Sequence, residues 1–336
     1  MSSGRGTSYA GSESLPKWFV SLGMMISLLL PYVVAYAIVN NQTSLLVADI
    51  GGLAIALLSI PFVSLIIIII AYLWYNDEYW VSDVAKTSPN ALAFLFVIAY
   101  PIAFSLTANT DMAVYFVGAY LIVIFVASYL YGWSPRVPTE TGHKMGLFWA
   151  GVTAVVVLLI SSLDTLINNG VGAWINDLMS PSWYRHVVMY AYTPLFIGKI
   201  ASQFGINNEL QLIPLIGLMA FVVGFSEEGW ARLSIPLVAK YLNDNVTLSV
   251  WWLGTTWLSL HAIPIALEAG LSAVPINLLI LSVISIFIFY VFAKTGDYVA
   301  TAIAHGFYDL MVSLGFIGLI LGMAFIVLFW RYHSVS

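Results

Sequence analysis

The chain has 336 residues, of which 61% are hydrophobic and 8% charged, with a formal net charge of −5 and no cysteine. A soluble domain carries roughly 25% charged residues, so this composition excludes a soluble globule and indicates a polytopic membrane protein. The missing cysteine excludes disulfides, thiolate metal sites and a cysteine nucleophile, and without a long basic tract a nucleic-acid partner is not expected.

Residues 1–16 are polar and Ser/Gly-rich and read as a disordered tail. The apolar run 18–39 is longer than a signal-peptide core and no clear small-residue cleavage site follows it, so it is expected to remain as the first membrane helix. Further apolar runs follow at 45–75, 91–108, 112–133, 145–163, 211–225, 246–267, 271–293 and 297–330. Pro61 is placed to kink the long run 45–75, and 297–330 is long enough for two helices that break near Gly315. Residues 187–200 are short and interrupted by Pro194, which suits a re-entrant or interfacial piece. The expected architecture is all-α, a polytopic transmembrane bundle of nine to eleven helices enclosing an intramembrane catalytic cavity. Residues 76–90 and 164–186 are expected to be loops. No fixed-period repeat is visible.

Basic residues suggest an orientation. Arg5, Lys17, Lys86, Arg136 and Lys144 fall on one side if the spans alternate, joined by Lys240, Lys294 and Arg331 if 187–200 does not cross. By the positive-inside rule the N-terminus is then cytoplasmic. Arg185 and Lys199 fall on the other side.

Ionisable side chains at or inside the apolar runs are Asp49, Glu227, Glu228, Arg232, His261, Glu268, His305 and Asp309, whereas His143, His186 and His333 lie in expected loops or the tail. A charged residue near the centre of a membrane helix costs about 2.5–3.5 kcal/mol on insertion scales, so each retained one calls for a reason. Glu227 and Glu228 close the run 211–225, and Arg232 follows four residues after Glu228. On a helix Glu228 and Arg232 project about 40° apart and can form an ion pair, while Glu227 points roughly 100° away. A membrane-edge salt bridge would account for Glu228 and Arg232 but not for Glu227. A desolvated carboxylate free of that pair suits general-base activation of water. His261 follows Trp257 by one turn and precedes Pro264; Asp309 follows His305 by one turn. Each of these pairs alone is also what a satisfied interhelical hydrogen bond looks like. Together they supply a carboxylate, two imidazoles and an aspartate from three helices. Two chemistries stay open. In one, Glu227, His261, His305 and Asp309 hold zinc with water in the open position. In the other, Glu227 acts as base without a metal and the histidines bind an oxyanion.

The pattern Glu227-Glu228-x-x-x-Arg232, then Trp257-x-x-x-His261, then His305-x-x-x-Asp309 resembles the CPBP family of intramembrane proteases, which includes type II CAAX prenyl endopeptidases and Abi-type bacteriocin-immunity proteins. The resemblance covers roughly residues 145–330. It implies that Glu227 activates the hydrolytic water, that Glu228 and Arg232 order the site, that His261 and His305 contact the water, metal or oxyanion, and that Asp309 completes it. The family's common Phe is Trp257 here, and Asp309 stands where the prenyl endopeptidases commonly carry Asn. The expected organisation is a tail over 1–16, N-terminal membrane helices over 17–144 and a protease core over 145–331. The expected function is that of an intramembrane endopeptidase, glutamate- or metal-dependent, cutting a peptide bond near the cytoplasmic face. Its partners are membrane lipid and a peptide or protein substrate, lipidated or not. A proton-coupled transporter using Asp49, Glu227, Glu228, His261 and His305 as a relay is the principal rival, followed by a non-catalytic immunity or scaffold protein.

Overall fold

The computed structural model describes residues 15–43, 50–108, 118–123, 135–179, 205 and 209–334, and every element named below lies within them. All of these elements are helical, as expected of a polytopic bundle. In chain order they are α1 (Lys17–Thr43), α2 (Ile50–Leu57), α3 (Ser59–Trp74), α4 (Glu78–Lys86), α5 (Ala91–Thr107), α6 (Thr139–Ser161) and α7 (Leu163–Met179). The second half contains α8 (Glu209–Leu233), α9 (Ile235–Tyr241), α10 (Val246–Leu260), α11 (Ala262–Ala269), α12 (Val274–Thr295), α13 (Tyr298–Ser313) and α14 (Phe316–Phe329). Among the described residues five helical stretches are long and apolar enough to cross a membrane: Lys17–Asn40, Gly51–Trp74, Thr139–Ile160, Val246–Leu267 and Leu271–Thr295. A sixth is added if α4 and α5, bent by 118°, count as one broken span. The run 112–133 is described only over 118–123, and the tail 1–14, Asp49 and the segment 187–200, with Arg185 and His186, lie outside the described residues.

Prolines explain where several helices start. Pro61 and Pro264 are each the third residue of a helix that begins after a break, at Leu58 and at His261. Pro236 and Pro275 are each the second. In the first turn a backbone N–H has no intrahelical acceptor, so a residue without one costs nothing there. The kink expected at Pro61 therefore falls three residues earlier. The predicted break near Gly315 is present: α13 ends at Ser313, Gly315 adopts φ 58°, and α14 starts at Phe316.

The described parts of two expected loops are largely helical. Within 76–90, Asp77 caps α4 by accepting a hydrogen bond from the Trp80 N–H at 3.1 Å, and Asn90 caps α5 by accepting from the Ala93 N–H at 3.0 Å. Glu78 in the first turn and Lys86 in the last complement the helix dipole, and Trp80 and Val84, four apart, are buried. Within 164–186, α7 continues to Met179 across a break at Gly170, whose φ of 78° a residue with a side chain rarely adopts. His143, expected in a loop, lies in α6 with Nε2 3.8 Å from Asp297 Oδ2. His333 is exposed at the end of the chain, as expected.

The helices before residue 144 pack on the second half rather than beside it. Helix α3 lies against α10 and α12, and α1 against α10 and α11. Buried polar groups tie the halves together: the Trp230 indole donates to the Val97 carbonyl at 2.9 Å, Trp252 to the Met24 carbonyl at 3.1 Å, and the Tyr75 hydroxyl to the Phe289 carbonyl at 2.9 Å. The Tyr32 hydroxyl lies 3.0 Å from Ser59 Oγ and 3.3 Å from Ser259 Oγ. In a bilayer, where apolar burial drives little helix association, such bonds and close packing carry it instead.

Candidate active site

Three helices supply the ionisable residues. Helix α8 does not end where its apolar run does; it continues through Glu227 and Glu228 to Leu233, and α9 follows. The glutamates therefore sit within a helix, not at a frayed end in water. Small residues let α13 approach α8 closely. A Cβ placed on Gly224 would lie 3.0 Å from Gly306 N and 3.4 Å from His305 Cβ, and one on Gly306 would lie 2.6 Å from Phe221 Cδ1. This approach puts His305 Nδ1 2.9 Å from Glu228 Oε1. Helix α10 ends at His261, so the third contribution comes from a helix break.

All six expected residues are buried and come together. Arg232 Nε donates to Glu228 Oε2 at 2.8 Å, confirming the ion pair that the spacing predicts. With His305 on its other oxygen, the Glu228 carboxylate is fully engaged. The Arg232 guanidinium lies over the Phe289 ring, with Cζ 3.7 Å from the centroid, and its two Nη atoms have no hydrogen-bond partner among the described residues. On the other edge of the imidazole, His305 Nε2 lies 3.5 Å from Asp309 Oδ2. His261 Nδ1 lies 3.1 Å from the Trp257 carbonyl oxygen. Because that oxygen can only accept, Nδ1 carries the hydrogen, and in the neutral form of the ring Nε2 is the acceptor. Glu227 Oε2 accepts from the Trp257 indole N–H at 2.6 Å.

Exposure separates the six into two groups. Glu228 and Arg232 are 0% and 1% exposed, whereas Glu227, His261, His305 and Asp309 keep 5%, 5%, 4% and 6%. The first pair is sealed into the packing; each of the other four retains a sliver of accessible surface. Carboxylate and imidazole side by side can move a proton and orient a water. Among the described residues no three His, Asp or Glu side chains are grouped so as to hold a metal ion. In this arrangement Glu227 Oε2 contacts the Trp257 indole, His261 Nδ1 a backbone carbonyl and His305 Nδ1 the Glu228 carboxylate, with Asp309 3.5 Å from His305 Nε2.

Residues 209–311 match the family model described as type II CAAX prenyl endopeptidase Rce1-like. No curated protein and no solved structure matches the chain. The Rce1-like segment begins with α8 and ends within α13. It thus holds all six site residues and none of α1 to α7. The Rce1-like match points to an intramembrane peptidase with a peptide or protein substrate, in a multi-pass membrane protein. Two residues of the Rce1-like segment join the site without having been singled out as participants. Trp257 is marked in the sequence by its spacing from His261, but nothing local shows that its N–H reaches another helix. Phe289 has no local signal at all, since its partner Arg232 is on a different helix.

Proposed function

We propose that this protein is an intramembrane endopeptidase in which Glu227 activates the hydrolytic water without a metal. Glu227 takes a proton from water, and the hydroxide adds to the peptide carbonyl carbon. The His261 Nε2 lone pair accepts a hydrogen bond from that water and orients it. The oxyanion that forms is met by the Nε2–H of His305 in its imidazolium form, whose charge the carboxylates of Glu228 and Asp309 balance. Glu227 then returns the proton to the leaving amine as the C–N bond breaks, so the carboxylate is regenerated. The observation that carries this reading is the unequal use of the two glutamates: both Glu228 oxygens are engaged by buried cationic or imidazole groups, and Glu227 has one held by a neutral donor. The excess of Lys and Arg on one set of loops supports a cytoplasmic N-terminus and a cut near the cytoplasmic face.

The test compares newly formed peptide termini in membranes containing the wild-type protein or Glu227→Gln. Cleavage products are expected with the wild type and are expected to fall at least about a thousandfold with the variant, the scale on which removing an essential base acts. The variant should still bind the uncleaved peptide. Cleavage by Glu227→Gln at the wild-type rate would remove Glu227 from the chemistry. Flux driven by a proton gradient, with no cleavage product, would favour the transporter.

A further inference from the structure

We infer that Trp257 is a positioning residue that aims the catalytic carboxylate, an inference that rests on the proposed role of Glu227. Three observations converge on this one residue, two on its side chain and one on its backbone. Its indole N–H donates to Glu227 Oε2 at 2.6 Å in a buried environment. Its backbone carbonyl, one turn ahead of His261, accepts from the Nδ1–H of that ring at 3.1 Å. Its ring stands nearly perpendicular to both imidazoles, with centroids 5.1 Å from His261 at 75° and 5.9 Å from His305 at 88°.

An indole N–H only donates and takes no part in proton transfer at ordinary pH. Its effect on Glu227 is therefore geometric and electrostatic. It stops rotation of the carboxylate about its terminal bond and commits Oε2, which leaves Oε1 to meet the water. The backbone carbonyl of the same residue fixes a hydrogen on His261 Nδ1. A phenylalanine would fill much of the same space and keep the backbone carbonyl, but it could not hold the carboxylate. The competing account is a packed core tryptophan whose N–H happens to find the nearest acceptor. The two accounts differ in what Trp257→Phe does to turnover.

The experiment measures kcat and KM on a cleaved peptide for the wild type, Trp257→Phe, Glu227→Gln and the double variant. Trp257→Phe is expected to lower kcat by roughly 10- to 100-fold, the range for a hydrogen bond to a charged group, with KM unchanged within about twofold. Because Trp257 acts through Glu227, adding Trp257→Phe to Glu227→Gln should cost no further rate. If Trp257→Phe proves poorly folded, replacing Trp257 with benzothienylalanine tests the same point, since it keeps the bicyclic shape and lacks only the N–H. Unchanged kcat in Trp257→Phe or in the benzothienyl protein, or fully multiplicative losses in the double variant, would overturn the inference while leaving Glu227 as base. Wild-type activity in Glu227→Gln would instead overturn the underlying mechanism, so the two failures are distinguishable.

Discussion

The two adjacent glutamates are distinguished by what occupies their oxygens. Glu228 is held by Arg232 and His305, with Phe289 beneath the guanidinium. Arg232→Ala would leave Glu228 without its cation in a sealed environment, and removing one partner of a buried pair costs about 3–5 kcal/mol. The thermal midpoint in detergent should fall clearly for Arg232→Ala and much less for Glu228→Gln combined with Arg232→Met, which removes both charges. Equal losses would mean that the pair is not what holds α8. Arg232→Lys should not rescue the site, because an ammonium has neither the planar face for Phe289 nor the guanidinium's Nε donor geometry. Chelation gives a second check: if Glu227 acts without a metal, EDTA or phenanthroline should leave cleavage unchanged. A loss reversed by added zinc would contradict the metal-free reading. The six ionisable residues were legible in the sequence because charges in apolar helices are few and expensive. The partners that share their surroundings were not. The approach of Phe289 to Arg232, or of His143 to Asp297, depends on how distant helices pack and leaves no trace in local spacing.

Packing of α8 on α13 sets the distance between Glu228 and His305, and Gly224 and Gly306 permit it. At Gly224 a Cβ would meet backbone atoms of α13, which cannot rotate away. Gly224→Val should therefore push the helices apart, cost about 1–3 kcal/mol by overpacking and break the 2.9 Å contact between His305 and Glu228. Gly217→Ala is the matched control on the same helix, where the added Cβ would lie 3.8 Å from a flexible Leu310 methyl. Cleavage should fall sharply in the first variant and stay near wild type in the second. If Gly224→Val retained full activity, close approach at that point would not be what assembles the site. Helix existence was readable from apolar runs, but helix ends were not. The run 211–225 stops at Phe225 although α8 continues through the charged turn, because Glu228 and Arg232 neutralise each other inside the bundle rather than in water. In 76–90 the opposite happened: Asp77, Glu78 and Lys86 are ordinary helix-end signals, yet the polar composition suggested a loop.

The Rce1-like match covers only 209–311, but the protein does not fold around that segment alone. Trp230 and Trp252, both within it and both buried, place their indole N–H groups on carbonyls of α5 and α1. Phe289, whose ring supports Arg232, gives its own carbonyl to Tyr75, just beyond α3. Arg136 fastens the same region from outside the matched segment. Its backbone N–H donates to the Thr295 carbonyl at 2.8 Å, its side chain to the Ala293 carbonyl and to Asp83 at 3.2 Å each, and its guanidinium lies 4.1 Å from the Trp80 ring centroid. A single interhelical hydrogen bond in a membrane is worth about 0.6 kcal/mol, so no one of these decides the outcome. Acting together with the packing of α1 and α3 on α10, they make the N-terminal helices the wall against which the site is built. Residues 135–336 expressed alone should then be inactive and sensitive to protease, because the α10 surface that receives α1 and α3 would be bare. Co-expression of residues 1–134 with residues 135–336 should restore cleavage, since membrane helices inserted separately can still associate through their packing faces. Full activity from residues 135–336 alone would show that the first helices are dispensable to the site, and would reassign Trp230, Trp252 and Tyr75 to stability outside it.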